Sequence, residues 1–522
     1  MFSSSLKITD TSDFIAPALD CVVVEQATAA VSASVDVPGE VRIQRARGVG
    51  VTAPASAPAP GDEQLAPVKI SLHDCLACSG CVTSAETVLL EQQSVEQFQQ
   101  MLSDPGKEVV VTLSNQSIAS LAHNAGLSPG EVARRVAGAL KARGARAVFD
   151  ISVAAKIALA ENLAEFARRV GAGKGGNVAG VDEAEREGTL PMLTSSCPGW
   201  VLYVEKTHPQ LIPYVSTVKS PQAIMGTLIK QFWCASEAVR LAPGDVFHVA
   251  VMPCYDKKLE AVREELMVGS VPETDCVLTT GELEAWMGTY GNGNGTGNGH
   301  ADGDGAVLAD LDTLFLGDGC DATVTVTATA TATAAATTIV GGADAVESGG
   351  YMNFLYRSIF EQDRGHPMTA DQEVPMSTGR NQDVLESELQ LQSGRTLHFA
   401  ILNGFRNIQG LVRKMKLNKC VYDYVEVMAC PSGCVNGAGQ VGVSQGQGQA
   451  ARDESLRGIR EAMRSRVRSD AEDAHVDAQC ASIYRHWATN DERGRGLFLT
   501  SLKATHQKAK ARTTNTFVPA AW

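Results

Sequence analysis

Long apolar runs and aromatic side chains are both scarce in this 522-residue sequence. No apolar run approaches the ~20 residues that cross a bilayer, so we expect no membrane-spanning helix. The first ten residues end in Asp10 and contain neither an apolar core nor the arginine-rich pattern of a transit peptide. We therefore expect no secretory or organellar leader, and the cytosol, with the nucleus as a second compartment, is the predicted location.

Positive charge is also in short supply. The chain has 45 Lys and Arg against 59 Asp and Glu, a net charge of −14, which argues against nonspecific binding to nucleic acid or to an acidic membrane. A phosphate loop, a dinucleotide-binding fingerprint and a Ser/His/Asp arrangement are all missing. The glycine-rich stretches at 171–176 and 291–305 do not follow a strand in the way that nucleotide binding requires, so they carry no nucleotide assignment.

Three segments of biased composition divide the chain. Residues 26–66 have the Ala/Pro/Ser/Val composition of a linker, residues 291–305 contain seven glycines, and residues 322–338 contain only Ala, Thr and Val. Such segments bury too little apolar surface to offset their ordering entropy, so we expect surface insertions or disorder. The predicted regions are an N-terminal region 1–105, a first lobe 106–290, an insertion 291–350, a second lobe 351–450 and a charged helical C-terminal segment 451–522.

Between the insertions, strand and helix patterns alternate, which predicts an α/β fold with mostly parallel, doubly wound sheets. Ser128-Pro129-Gly130-Glu131 is a capping box with proline at the first helical position, and it predicts a helix that stops at Gly144. A second helix is predicted over 153–170. The predicted strands are 108–113, 147–149, 192–194, 246–252, 397–402 and 422–428.

Thirteen cysteines, an odd number in a long chain, indicate thiols or metal ligands in a reducing compartment. Cys75, Cys78 and Cys81 have the C-x2-C-x2-C spacing of ferredoxin-type [4Fe–4S] ligands. The Cys-Pro that usually supplies the fourth ligand is missing downstream, and Cys21 is the upstream candidate, able to fold back across the linker. Zinc, with His73 as a ligand, and plain buried thiols are the alternatives at this triplet.

A second group of cysteines is dispersed, but its members share a position. Cys197, Cys254 and the pair Cys430 and Cys434 each follow a predicted strand. Ligands of open α/β sheets gather outside the carboxyl ends of strands, so four thiolates converge if these strands are neighbours. Glycines 433, 437 and 439 would let the backbone approach and donate N–H groups to sulfur. The alternative is scattered core thiols. The remaining cysteines, 234, 276, 320, 420 and 480, are interpreted as structural or incidental.

These segments carry a family resemblance. Residues 194–200, 252–257 and 426–440 resemble the three signature segments of iron-only hydrogenases. The opening segment 6–15, followed by Cys21 and the C-x2-C-x2-C run, is similar to the eukaryotic iron-only-hydrogenase-like assembly factors, a family related to nuclear prelamin A recognition factor. The segments around Ser482 and around 501–506 resemble the small-subunit-type end of that family.

The resemblance implies an iron-only-hydrogenase-like fold with two lobes and a small N-terminal cluster-binding region. It also implies two [4Fe–4S] clusters. Ser196 stands where hydrogenases have a proton-relaying cysteine, and serine is a poor substitute because its pKa is far higher. Lys257, which contacts the di-iron ligands in hydrogenases, is kept. The family therefore implies a protein that has no di-iron centre and is not an enzyme.

The resemblance also implies the ligands of the two clusters. They are Cys21, Cys75, Cys78 and Cys81 for one cluster and Cys197, Cys254, Cys430 and Cys434 for the other.

The family also implies partners. Its members work in cytosolic iron–sulfur protein assembly, where they link an early scaffold to a late targeting complex that contains a β-propeller subunit. The proteins that receive the clusters are apo client proteins of the cytosol and the nucleus. A terminal aromatic residue such as Trp522 is suited to anchor such docking. No nucleic-acid or membrane partner is expected. An iron-only hydrogenase-type redox enzyme is the alternative function, and a zinc protein is a weaker one.

Overall fold

The computed structural model describes residues 92–172, 189–236, 238–291, 308–312, 350–369, 372–379, 381–442, 449–465 and 476–484. All of them belong to one structural unit, Leu72–Trp522. Several predictions of the sequence analysis fall on residues outside the described ranges. These residues are Cys21, Cys75, Cys78, Cys81, Cys320, Trp522, the linker and the cores of the low-complexity insertions. None of the helices in the described part of the chain is long and apolar enough to cross a membrane.

The strands and helices alternate along most of the chain, as the hydrophobic pattern predicts. The strands of the described ranges are β1 (Glu108–Leu113), β2 (Ala147–Asp150), β3 (Met192–Thr194), β4 (Val246–Met252), β5 (Met267–Val268), β6 (Val271–Pro272), β7 (Cys276–Thr279), β8 (Ser377–Thr378), β9 (Val384–Gln390), β10 (Thr396–Asn403) and β11 (Tyr424–Met428). The α-helices there are α1 (Val95–Leu102), α2 (Asn115–Ala125), α3 (Pro129–Lys141), α4 (Ser152–Ala172), α5 (Pro198–Thr207), α6 (Pro221–Thr227), α7 (Asp256–Ala261), α8 (Thr280–Gly291), α9 (Gly350–Arg364), α10 (Phe405–Lys416) and α11 (Gln449–Ser465). Shorter segments are the 3-10 turns Pro209–Tyr214, Pro243–Asp245 and Cys434–Asn436 and the π turn Leu228–Trp233, and residues 476–484 are helical.

The first sheet has the strand order β2-β1-β4-β7, and all its pairs are parallel. Its central strands are buried along nearly their whole length, as parallel strands covered on both faces must be. Helix α3 begins where the capping box predicts, because the Ser128 hydroxyl accepts the Glu131 N–H at 3.3 Å. The predicted strands at 108–113, 147–149 and 246–252 are confirmed.

The second sheet is mixed, with the strand order β3-β11-β10-β9-β8. β3, β11 and β10 pair in parallel, whereas β9 and β8 are antiparallel. The sequence analysis missed β9 because its pattern, Val-Leu-Glu-Ser-Glu-Leu-Gln, is mostly polar and much of the strand is exposed. β3 falls in the range 106–290 assigned to the first lobe, but it pairs with β11, so the chain crosses to the second sheet and returns.

One apolar core joins the two sheets. Its members include Val110 and Phe149 of the first sheet and Phe399 and Tyr424 of the second. Phe166 of α4 packs its ring edge-to-face on Tyr424, with 5.4 Å between the ring centroids. This shared core fixes the carboxyl ends of the parallel strands of one sheet relative to those of the other. The candidate site lies at these strand ends.

Candidate metal centre

The dispersed cysteines all occupy turns at the carboxyl ends of strands. Cys197 follows β3 and is the N-cap residue of α5, Cys254 lies between β4 and α7, and Cys430 and Cys434 follow β11. β3 and β11 are adjacent and parallel, with Thr194 opposite Glu426. β4 belongs to the first sheet, so the three strands are not all neighbours as the sequence argument required. Three cysteines come from one sheet and Cys254 from the other.

The structure nevertheless brings these four cysteines together. The Cys430 thiol interacts electrostatically with Cys197, Cys254 and Cys434. Cys254 also interacts with Cys434 and Cys197. Cys197 lies close to Cys434 as well, so a thiolate at any of the four would raise the pKa of the others.

Burial makes these thiols hard to ionise. It raises the pKa of Cys197 to about 12, and neighbouring negative groups add to the rise. The pKa values of Cys254 and Cys430 are raised well above the ordinary thiol value, first by burial. Cysteine ligands bind metal as thiolates, so a positively charged group at this position would offset the cost of ionisation and release the protons.

The donor set fits a cluster. Within the described ranges, no group of three or more His, Cys, Asp or Glu side chains is placed to hold a metal ion. A [4Fe–4S] cluster takes one thiolate per iron, so it accepts four thiols spread farther apart than the ligands of one ion. The backbone N–H groups of Ala429 and Trp200 lie near the Cys197 thiol and oppose the rise of its pKa. Such N–H donors are typical partners of cluster sulfur atoms.

The glycines play only one of the two roles that the sequence analysis gave them. Gly433 N–H donates to the Cys430 carbonyl at 3.1 Å, and Gly437 N–H donates to the Cys434 carbonyl at 3.0 Å. Gly439 N–H donates to the Pro253 carbonyl at 3.0 Å. The expectation that these N–H groups point at sulfur is therefore wrong, because the turns use them for their own backbone hydrogen bonds.

Two of these glycines instead allow a close approach of the sheets. A Cβ atom on Gly437 would lie 2.3 Å from the Pro253 carbonyl oxygen, and one on Gly439 would lie 2.7 Å from the Thr279 Cβ.

The loop then continues along the first sheet, where Thr280 Oγ1 donates to Gln440 Oε1 at 2.7 Å. Val441 N–H donates to the Ser120 hydroxyl at 3.1 Å. The chain that carries Cys434 is thus tied to the sheet that carries Cys254.

A buried charged group lies beside the cysteines. Lys257 Nζ donates to Glu260 Oε2 at 2.5 Å and to the Ser220 hydroxyl at 3.2 Å. Asp256, also buried, raises the pKa values of Cys197, Cys254 and Cys430. The sequence analysis singled out Lys257 but missed Asp256 and Glu260. Their positions directly before and three residues after Lys257, on the same short helix, were the available signal.

Glu426 is a second ionisable group that the sequence analysis missed. It is fully buried in β11, where its Oε2 accepts the Met352 N–H at 2.9 Å at the start of α9. Burial raises its pKa to about 8, against the lowering effect of the Met352 and Tyr351 N–H groups. The Tyr351 phenol lies in the fields of Glu426, Glu260 and Cys434, which together with burial raise its pKa. A buried set of ionisable side chains therefore borders the thiol group on the side of α9.

The other described cysteines lie away from this group. Cys276 is buried within β7, Cys234 follows the π turn, and the Cys480 thiol lies 3.8 Å from the Val153 carbonyl. Cys420 is partly buried before β11. Ser196, adjacent to Cys197, is partly buried, and its neighbour Ser195 accepts the Cys197 N–H at 3.0 Å.

Comparison with known proteins gives related matches to a family, to two curated relatives and to a solved structure. Residues 107–438 match the family described as iron only hydrogenase large subunit, C-terminal domain. Protein NAR1 of Arabidopsis thaliana is 38% identical over 470 residues, 87% of each chain, and cytosolic iron-sulfur assembly component 3 of Bos taurus is 36% identical over 521 residues, 97% of each chain. Among solved structures, an apo [FeFe]-hydrogenase from Chlamydomonas reinhardtii has a TM-score of 0.60 at 26% identity, covering 79% of this chain and 98% of that one.

Proposed function

The chain belongs to the iron-only-hydrogenase-like family of cytosolic iron–sulfur cluster assembly factors, and from this membership we propose that it binds two [4Fe–4S] clusters in the service of cytosolic iron–sulfur protein assembly. Its relatives are named as cytosolic assembly components, and its fold is that of the iron-only hydrogenases. The single observation that carries the proposal is the convergence of four cysteine thiols from two sheets, one buried and three partly buried, so close that a thiolate at one raises the pKa of its neighbours.

The buried cluster is held by Cys197, Cys254, Cys430 and Cys434 in this proposal. Bound there, the cluster would supply redox-active or transferable iron and sulfide, and the chain's own residues set its surroundings. Cys197 is buried and the other three cysteines are partly buried, which restricts the access of water and chelators, and Ala429 and Trp200 supply N–H groups on the Cys197 side. We therefore assign this centre a slow exchange with solvent.

The second proposed cluster rests on sequence alone. Cys75, Cys78 and Cys81 have ferredoxin-type spacing, and Cys21 completes the set by family resemblance. In our proposal, the chain links an early scaffold to a late targeting complex with a β-propeller subunit, and it serves apo client proteins of cytosol and nucleus. It acts as an adaptor and not as an enzyme.

An iron-only hydrogenase activity is the second candidate, favoured by the structural similarity to [FeFe]-hydrogenase. Two features weigh against it. Ser196 lacks the thiol that would relay protons. Lys257 is already paired with Glu260 and bonded to Ser220, so its charge is engaged within the protein.

Anaerobic purification followed by iron and sulfide analysis tests the proposed function. We expect about eight iron and about eight sulfide per chain, with the EPR signals of reduced cubanes and no hydrogen evolution from reduced methyl viologen. Zinc without sulfide would overturn the cluster assignment. Hydrogen evolution together with iron in excess of the two cubanes would instead select the enzyme.

Trp522 provides a test of the docking part of the proposal. An exposed indole ring is a strong interface anchor, so we expect Trp522→Ala to weaken pull-down of a recombinant β-propeller targeting subunit about tenfold. Val518→Ala, in the same tail, is the matched control and should bind as the unaltered chain does. Equal binding by both variants would remove Trp522 from the interface.

A further inference from the structure

Helix α10 and the turn after it concentrate positive charge in an acidic chain. Residues 405–422 contain five Lys and Arg and no Asp or Glu, whereas the whole chain has a net charge of −14. The five cations are all exposed: Arg406, Arg413, Lys414, Lys416 and Lys419. This is a local reversal of the sign that dominates the rest of the sequence.

The helix dipole explains only part of this arrangement. Arg413, Lys414 and Lys416 occupy the last turn of α10, where cations stabilise the helix. Lys419 lies beyond the helix end. Two large apolar side chains lie among these cations, and the helix dipole does not explain their exposure. Leu417 is 55% exposed and Val421 is 67% exposed. We call Arg413, Lys416, Leu417, Lys419 and Val421 the α10 patch.

The cations of the α10 patch are not neutralised by the described part of the chain. Arg413, Lys416 and Lys419 form no ion pair or side-chain hydrogen bond within it. Two acidic groups near the patch, Asp423 and Glu386, are engaged elsewhere. Asp423 accepts hydrogen bonds from Arg395 at 3.0 Å and from the His398 N–H at 2.9 Å.

The other bordering acid, Glu386, accepts a hydrogen bond from the Tyr422 hydroxyl. The Tyr422 ring in turn holds the Lys414 ammonium at 5.2 Å from its centroid. Lys416 is close enough to His208 to lower the pKa of that imidazole, which is lowered mainly by burial. The positive field of the patch therefore extends to the end of α5.

The patch is presented on a well-anchored element. The inner face of α10 buries Ile408, Leu411, Val412 and Met415 against the second sheet. Its opposite end, at Gly404, lies against Pro431 in the cysteine turn, and a helix of this length spans about 18 Å. The patch is thus remote from the thiol group and does not belong to the metal centre.

We propose that the α10 patch docks an acidic segment of a partner protein that also carries exposed apolar side chains. Opposite charge steers such a segment onto the cations, and burial of Leu417 and Val421 adds affinity that charge alone does not give. A nucleic-acid backbone or a lipid headgroup would use the cations but not the apolar pair, and the net charge of the chain repels extended polyanions. The docking surface goes beyond the proposed function and requires neither cluster.

Charge reversal on the full-length, anaerobically purified protein tests this surface. The probe is a fluorescent peptide of alternating Glu and Leu, followed by anisotropy at low and high salt, with a short DNA duplex as comparator. We expect R413E/K416E to weaken peptide binding about tenfold. The matched control, R134E/R457E, changes the net charge equally at exposed positions on α3 and α11 and should bind as the unaltered chain does.

The apolar half of the patch has its own variant. L417S/V421S should also weaken the peptide while leaving the salt dependence unchanged, since the charges remain and both side chains are already exposed. The docking proposal fails if the peptide does not bind, or if both charge-reversal variants bind it equally. It also fails if the duplex binds as tightly as the peptide and is lost with R413E/K416E, or if that variant only abolishes self-association of the chain.

Discussion

Replacing Cys430 and Cys434 together by serine is expected to remove about four iron atoms and about four sulfides per chain, half of the proposed content. The substitution takes away two of the four coupled thiols. The remaining pair, Cys197 and Cys254, has raised pKa values and would remain as neutral thiols. Because cluster binding contributes directly to folding free energy, the midpoint of thermal unfolding should fall as well.

Cys420→Ser is the matched control for this double substitution. Cys420 is a partly buried thiol on the approach to β11, and the groups that perturb its pKa besides burial are Tyr422, Lys414 and Asp423, not the four cysteines. It should keep about eight iron. If the double variant keeps the iron of the proposed N-terminal cluster, the loss is specific to the site of the substituted cysteines. Unchanged iron in a soluble double variant would refute the proposed ligand set.

Local patterns predicted what is local in this structure. The capping box at Ser128 and the valine-rich strand β1 depend on neighbours in sequence, and both are confirmed. The position of each cysteine just after a strand is also a local fact. A ligand argument based on strand ends therefore identified side chains that the structure brings together.

Pairing across long sequence separations was not predictable in the same way. β3 and β11 are neighbours although more than two hundred residues separate them, and nothing within either strand specifies the other. The sequence pattern did not predict the polar strand β9, because its exposed face has no hydrophobic period. The sequence analysis did not identify Asp256 and Glu426 as site residues, because they belong to the site through their burial beside it, which only the packed structure shows.

Gly437→Ala is expected to lower the free energy of unfolding by about 3 kcal/mol and to cost the proposed cluster of Cys197, Cys254, Cys430 and Cys434 its iron. A Cβ atom there would lie 2.3 Å from the Pro253 carbonyl oxygen and 3.1 Å from the Cys434 carbonyl oxygen, and both neighbours are backbone atoms. Pro253 directly precedes Cys254, so relief of the clash must move the loop of Cys434 away from Cys254. Iron analysis should find about four iron per chain, those of the N-terminal site.

Gly410→Ala, on α10, provides the opposite expectation from the same chemical change. Apart from its chain neighbours and the backbone of its own helix, no atom lies within 4 Å of a Cβ atom built at that position. Alanine in a helix interior should stabilise the protein by about 0.5–1 kcal/mol and leave the iron content unchanged. Denaturant unfolding under anaerobic conditions measures both variants. If Gly437→Ala kept its full iron and unfolded with the unaltered chain, the close contact of the two turns would not be what sets the distance between Cys254 and Cys434.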